Sequence, residues 1–303
     1  MKSFNLALVV VMLAVAPACG GDDQNGSDGG NGNDTGSDSP SANDSGGNDS
    51  GTDGSAVQKA NYGSVIFSHT QTKTGQTTSD AYTAIAGFFA TPDGGAGGGG
   101  GCAGTQSGSC CFVPPSQADG GTTGSATAVS AGGITAKDGS ATIATLTPTG
   151  TSYAPVADPP TSSLTWNAGD MISVTAAGDT VHAFNGSVAA VALFAGVTPA
   201  LSPLQQTVIP RSSDFTLTWT AGTGAITVTV SALKVASSEG VITCSASSDT
   251  GTMVVPHDLL QNFSAGDTGY VTLGRTISAD ASSDNATVTL ETGTSMGGSA
   301  AFQ

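Results

Sequence analysis

The stretch GTSMG at 293–297 places Ser295 at the centre of a G-x-S-x-G pattern, the setting of a serine nucleophile. That pattern works where the serine sits on a sharp strand-to-helix turn and a histidine follows later in the chain. Only six residues follow Gly297 and none is histidine, so a chance match in a chain with 44 glycines is expected. The three histidines, His69, His182 and His257, lie at none of the short spacings of a zinc site, and none neighbours a cysteine. Glu239 and Glu291 are the only glutamates, while Asp170, Asp179, Asp249 and Asp267 stand at turn-like positions where aspartate bonds its own backbone. No acid/base pair across a cleft can be named from them. The glycine-rich run 94–101 lacks the following Lys–Ser/Thr of a phosphate loop and reads as a loop tip. The expectation is a chain without catalytic residues, metal ligands or a cofactor.

Two further residue types carry possibilities of binding or cross-linking. Trp166 and Trp219 close the runs LTW and TLTW. Such tryptophans serve as core or as platforms for a ligand ring; core packing is expected, with the platform kept as a weak ligand-binding alternative. Besides Cys19 there are four cysteines, Cys102, Cys110, Cys111 and Cys244. An even set reads as disulfides where a chain is exported, with three pairings open. Cys102 with Cys110 or Cys111 is the first choice, and a bond between the adjacent pair is ranked last because it is strained. Cys244 reads equally as a bonded or a buried free thiol.

The elements that would position these residues are strands. GSVIFSHT (63–70), AYTAIAGFFA (81–90), ATIATLTP (141–148), SSLTW (162–166), DMISVTA (170–176), DFTLTWT (214–220), AITVTVSAL (225–233), VITCSA (241–246), YVTLGRTI (270–277) and NATVTLET (285–292) alternate apolar and small polar residues. That period of two, rich in Val, Ile and Thr, marks half-buried strands. NAGDM (167–171), TAGTGAI (220–226) and SDTGTM (248–253) read as turns. Only PHDLLQNF (256–263) reads as a short helix, with Pro256 in its first turn. The fold class is therefore all-β, an antiparallel β-sandwich of Ig-like or jelly-roll-like kind over 62–303. One domain is preferred, with an alternative divide near 199–210. Thr–Thr contacts can stabilise its exposed faces, and scarce charge leaves its strand edges weakly guarded.

The N-terminus gives an address. Lys2 is followed by an almost wholly apolar stretch from Phe4 to Val15, and Ala16, Pro17 and Ala18 precede Cys19. This is the layout of a secretory signal over 1–18, too short for a membrane-spanning helix. Val15 to Cys19 resembles the lipobox of bacterial lipoproteins. The resemblance implies that Cys19 becomes the first mature residue and carries acyl chains, each buried methylene worth ~0.8 kcal/mol of membrane attachment. Residues 19–61 then form an acidic linker of Gly, Ser, Asn and Asp holding eight of the chain's 23 acidic residues. Such a composition cannot bury enough surface to order itself, and its reach is about 35 Å. Its aspartates fall at irregular steps, unlike a calcium loop. The segments 166–184, 214–232 and 241–263 resemble uncharacterised lipoproteins of myxobacteria and related deltaproteobacteria, which implies export and a β-fold and transfers no catalytic residue.

With seven Lys and Arg and a formal net charge of −16, nucleic acid is a poor partner. The expected partners are the membrane, through the anchor, and an envelope protein or extracellular glycan. The expected role is non-enzymatic, structural, adhesive or partner-binding, in a lipoprotein anchored to the outer membrane and facing the cell surface. A glycan- or small-ligand-binding module is the first alternative, and a hydrolase with a loop-built site the second.

Overall fold

The computed structural model describes residues 61–74, 77–90, 102–115, 126–158, 164–234 and 237–303. The signal, Cys19, the acidic linker up to residue 60 and the glycine run at 94–101 lie outside them, and Asn61, read as the linker's last residue, begins the first strand. Among the described residues the chain forms nineteen strands and one short helix. The first part contributes β1 (Asn61–Thr74), β2 (Thr77–Ala90), β3 (Thr105–Ser107), β4 (Cys110–Val113), β5 (Thr127–Ala128), β6 (Ile134–Asp138), β7 (Ala141–Leu146), β8 (Pro148–Thr149), β9 (Ser152–Tyr153) and β10 (Val156–Asp158). The second contributes β11 (Met171–Ala176), β12 (Phe184–Ala189), β13 (Thr207–Ile209), β14 (Phe215–Thr218), β15 (Ala225–Lys234), β16 (Ser237–Ala246), β17 (Thr252–Val255), α1 (His257–Leu260), β18 (Thr268–Ser282) and β19 (Ala286–Phe302). The predicted turns are present: Gly224 and Gly251 adopt φ of 118° and 78°, a region that glycine enters without a Cβ penalty.

The frame of the all-β sandwich is the antiparallel pair β18–β19, in continuous register from Thr268↔Ala301 to Ser282↔Thr287. Different strands flank its two halves. At one half the order runs β10-β2-β1-β19-β18-β12-β11-β6-β7, and this sheet curls until β2 and β10 come against β7. At the other half β13 lies beside β19, while β15, β16, β4 and β3 extend outward from β18. There the sheet packs against α1 and the separate pair β14–β17. The sheet is the expected all-β sandwich, mainly antiparallel, with two parallel pairings in which β1 and β13 run parallel to β19.

Because side chains alternate along a strand, one face of β18–β19 carries both interiors. Ala286, Val288 and Leu290 enter a first core with Val65, Phe67, Ile134, Ile172 and Phe184. Ala300 and Phe302 enter a second with Val228, Ile242, Leu217 and Phe263. Each valine, leucine, isoleucine or phenylalanine among them, fully buried, contributes about 1.5–3 kcal/mol. Phe194, Leu201, Ile209 and Phe215, on both sides of and within 199–210, all belong to the second core.

Two sequence readings change here. SSLTW forms no strand where it is described: Leu164–Trp166 is irregular chain packed into the first core. The last two strands are 15 and 17 residues long, about twice the runs seen in the sequence, because they serve both cores.

Candidate functional site

Ser295 lies in mid-strand on β19, opposite Thr70 of β1, whose hydroxyl is 3.4 Å from its own. No strand-to-helix turn surrounds it. His69, its nearest histidine in register, stands opposite Thr294 and therefore projects to the other face of the sheet. A Ser–His pair is thus ruled out by strand alternation.

Each histidine instead meets one aspartate. His69 Nε2 is 3.0 Å from Asp80 Oδ1, and its ring stacks on Tyr82 at 4.0 Å between centroids. It is buried, not half-exposed as its strand-like run had implied. His182 lies in the loop between β11 and β12 rather than on a strand, with Nδ1 2.7 Å from Asp284. At the start of α1, His257 gives its backbone N–H to Asp214 Oδ1 at 2.9 Å and sets Nδ1 3.0 Å from it. The His257 backbone bond, then its ring, hold the Asp214 carboxyl below the ordinary range. Among the described residues no three His, Cys, Asp or Glu side chains gather into a metal-holding group. Glu291 faces outward from β19 between Ile66 and Ser278, yet is only 8% exposed, and burial pushes its pKa up. The side chain of Glu239 lies outside those described.

Both tryptophans are buried, at 5% and 7% exposure, which corrects their candidacy as ligand platforms. Trp166 packs edge-on against Tyr82 and Phe67 in the first core. Trp219 meets Phe194 edge-on in the second, and its Nε1–H donates to Asp249 Oδ1 at 2.7 Å.

Between the cores runs a polar belt. In register across three strands, His69, Thr294 and Arg275 stand side by side on the inner face. Arg275 is one of two arginines in the chain, and its side chain is 1% exposed. It forms an ion pair with Asp249, whose side chain is wholly buried. Its Nη1 and Nη2 donate to the carbonyls of Ala192 and Thr220 at 3.0 and 3.1 Å, and its Cζ lies 4.4 Å from the Phe194 ring centroid. Asp249 also accepts the N–H groups of Gly251 and Gly222, both at 2.9 Å. Burial would raise the Asp249 pKa. The bonds from Gly251, Trp219 and Gly222, with the Arg275 charge, overturn that and hold it below the usual range. Thr292 ties the same belt to Ala189 O at 2.6 Å. These bonds pin the 189–195 segment and the 219–222 and 249–251 turns to the central strands, although Arg275 Nε and Thr294 Oγ1 are buried without a hydrogen-bond partner among the described residues.

The cysteines are paired Cys102–Cys111 and Cys110–Cys244. Adjacent residues of β4 point to opposite faces, so Cys110 bonds inward to Cys244 of β16 while Cys111 reaches Cys102. The first choice from sequence holds for Cys102, and Cys244 is bonded rather than free.

What the sequence did not single out is the outer face of the second lobe. On β15, β18 and β19 the outward residues from Ala225 to Leu233, Thr268 to Thr276 and Gly293 to Ala301 are all uncharged, mostly Thr, Ser and Gly. Tyr270, on the central strand β18, is 52% exposed there. With Gln206, Leu233, Thr268, Gly269 and Ser299 it lines a shallow pocket of about 180 Å³. A signal for this existed: Val271 and Leu273 share one phase of the YVTLGRTI run, which puts Tyr270 on the opposite, outward phase. Comparison with known proteins finds no family model, curated protein or solved structure that matches this chain.

Proposed function

We propose that this is a lipid-anchored protein of the bacterial cell envelope, tethered to the outer membrane through Cys19 and displaying its β-body for contact with a partner. The observation that carries the reading is the joint occurrence of a signal-like start ending on Cys19 and two disulfides in the body. Disulfides persist in oxidising compartments, which agrees with export. The contact role draws on how the ionisable groups are engaged: His69, Asp249 and Arg275 are bonded inside the body, and His182 and His257 each pair with an aspartate at its surface. The linker over 19–61 would hold the body away from the bilayer.

The test is metabolic labelling of the full chain with palmitate in a bacterial host, beside Cys19→Ala. Label on the wild type, none on the variant, and release of the variant from the membrane fraction are expected. An unlabelled wild type, or one that retains residues 1–18, refutes the anchor.

A further inference from the structure

We infer that the outer face of the second lobe carries a binding site for a neutral saccharide, centred on Tyr270. The inference rests on the reading of the protein as an exported contact protein and gives that contact a chemistry. A tyrosine on an inner strand, flanked on both sides by β15 and β19, is half-exposed with nothing among the described residues stacked on it. Its ring offers a rigid apolar surface at the small entropic cost of two side-chain torsions. The pocket beside it is lined by one amide, Gln206, two hydroxyls, Thr268 and Ser299, and the apolar Leu233. The register places Ser299 directly beside Tyr270, and Leu233 beside Thr268. Ser299 Oγ already donates to Pro203 O at 3.0 Å, which leaves its oxygen oriented as an acceptor.

A sugar ring presents the matching chemistry. Its C–H face is apolar and stacks on an aromatic ring, and its rim of hydroxyls needs donors and acceptors of the kind that Gln, Thr and Ser supply. The volume suits one ring rather than a large ligand, since drug-sized sites run to about 300–1,000 Å³. Charge selects the class. The outward residues of the three strands carry no Lys, Arg, Asp or Glu, in a protein whose net charge is −16. An acidic glycan or a nucleic acid would meet a repelling molecule with no cation among these outward residues to hold it. A protein partner needs about 800 Å² of matched surface, whereas here the exposed apolar side chains Tyr270, Leu233 and Val208 are few and stand among hydroxyls and glycines.

The experiment is a glycan array with the full chain, purified in detergent, carrying neutral hexaoses of β-linked glucose, N-acetylglucosamine and mannose, and polygalacturonate as an acidic counterpart. At least one neutral hexaose is expected to bind. Tyr270→Ala should lower its affinity tenfold or more, about 1.4 kcal/mol, while Tyr270→Phe stays within about threefold because the ring stacks and the hydroxyl does not. Both variants should melt with the wild type, since Tyr270 supports neither core. Absence of binding to every neutral hexaose, preference for polygalacturonate, or undiminished binding by Tyr270→Ala overturns the site. Saccharide binding without palmitate label would remove the anchor and keep the site; label without saccharide binding would do the reverse.

Discussion

Replacing either member of the Arg275–Asp249 pair should destabilise the protein strongly and unequally. Asp249→Ala removes the acceptor for Trp219 Nε1–H and for the N–H groups of Gly222 and Gly251, and strands the guanidinium. An orphaned buried polar group costs about 1–3 kcal/mol, and breaking a buried ion pair from one side about 3–5. With three donors and one cation affected, a loss of about 4–5 kcal/mol is expected. Arg275→Met leaves Asp249 its three N–H donors and fills much of the same volume. It orphans the carbonyls of Ala192 and Thr220 and removes the contact with Phe194, for a loss of about 2–4 kcal/mol. The two losses share an interaction, so the double variant should fall short of their sum by roughly 2 kcal/mol. Urea unfolding at neutral pH with the disulfides intact measures all three. Asp249 adds a pH signature. Its pKa in the fold lies below 3.8, so its contribution is full above that value and fades as pH falls through the depressed one. Asp249→Asn should therefore show a shallower loss of stability in acid than the wild type. Additive single losses, or an Arg275→Met cost below about 1 kcal/mol, would refute the picture of one interlocked network.

The two disulfides and Glu291 are also testable. Cys110 and Cys244 are 134 residues apart, so Cys110→Ser with Cys244→Ser should cost about 5 kcal/mol of loop-closure entropy. The separation of 9 between Cys102 and Cys111 predicts about 2.5 kcal/mol for the same exchange, and urea midpoints should rank them in that order. Glu291 has its pKa raised by burial, so it favours the fold below its unfolded value of about 4.5 and loses that contribution as pH rises through the higher folded one. Glu291→Gln should raise the melting temperature at pH 7 and leave it nearly unchanged at pH 3; an equal effect at both values would sink the assignment.

How far the sequence could be read follows from what alternation encodes. β15 and β16 were legible because Ile226, Val228 and Val230 alternate with threonines and serine, and each phase has one destination. The short helix and the glycine turns were legible from Pro256 and from Gly224 and Gly251. The full length of β18 and β19 was not. Arg275, Thr292 and Thr294 stand on the inner phase, where an arginine or threonine reads as surface, so the pattern breaks although the strand continues. The tryptophans show the same ambiguity at one residue: a short run ending in Trp looks alike whether its indole N–H faces solvent or a buried aspartate. The alternative divide near 199–210 arose because sequence does not report that Leu201 and Ile209 both point into one core.

The buried belt answers a difficulty that the composition itself creates. β19 reads ATVTLETGTSMGGSAAF, a run of small residues in which a slip of two positions preserves which side chains face inward. Register in such a strand is weakly specified by the apolar pattern alone, since that pattern punishes slips of one residue and not of two. Arg275 removes the degeneracy. Only one register of β18 lets its guanidinium reach Asp249 and the carbonyls of Ala192 and Thr220 together. A slip would drive the charge into the apolar rows at Leu273 or Ile277 on either side, at a cost of several kcal/mol. Exchange of a hydrophobic isostere for the pair could recover stability but would lose that discrimination. Amide hydrogen exchange along β18 and β19 in the Arg275→Met, Asp249→Asn double variant separates the two effects: uniform protection with wild-type register would show that the apolar rows suffice, whereas loss of protection concentrated on these two strands is what register selection by the belt requires.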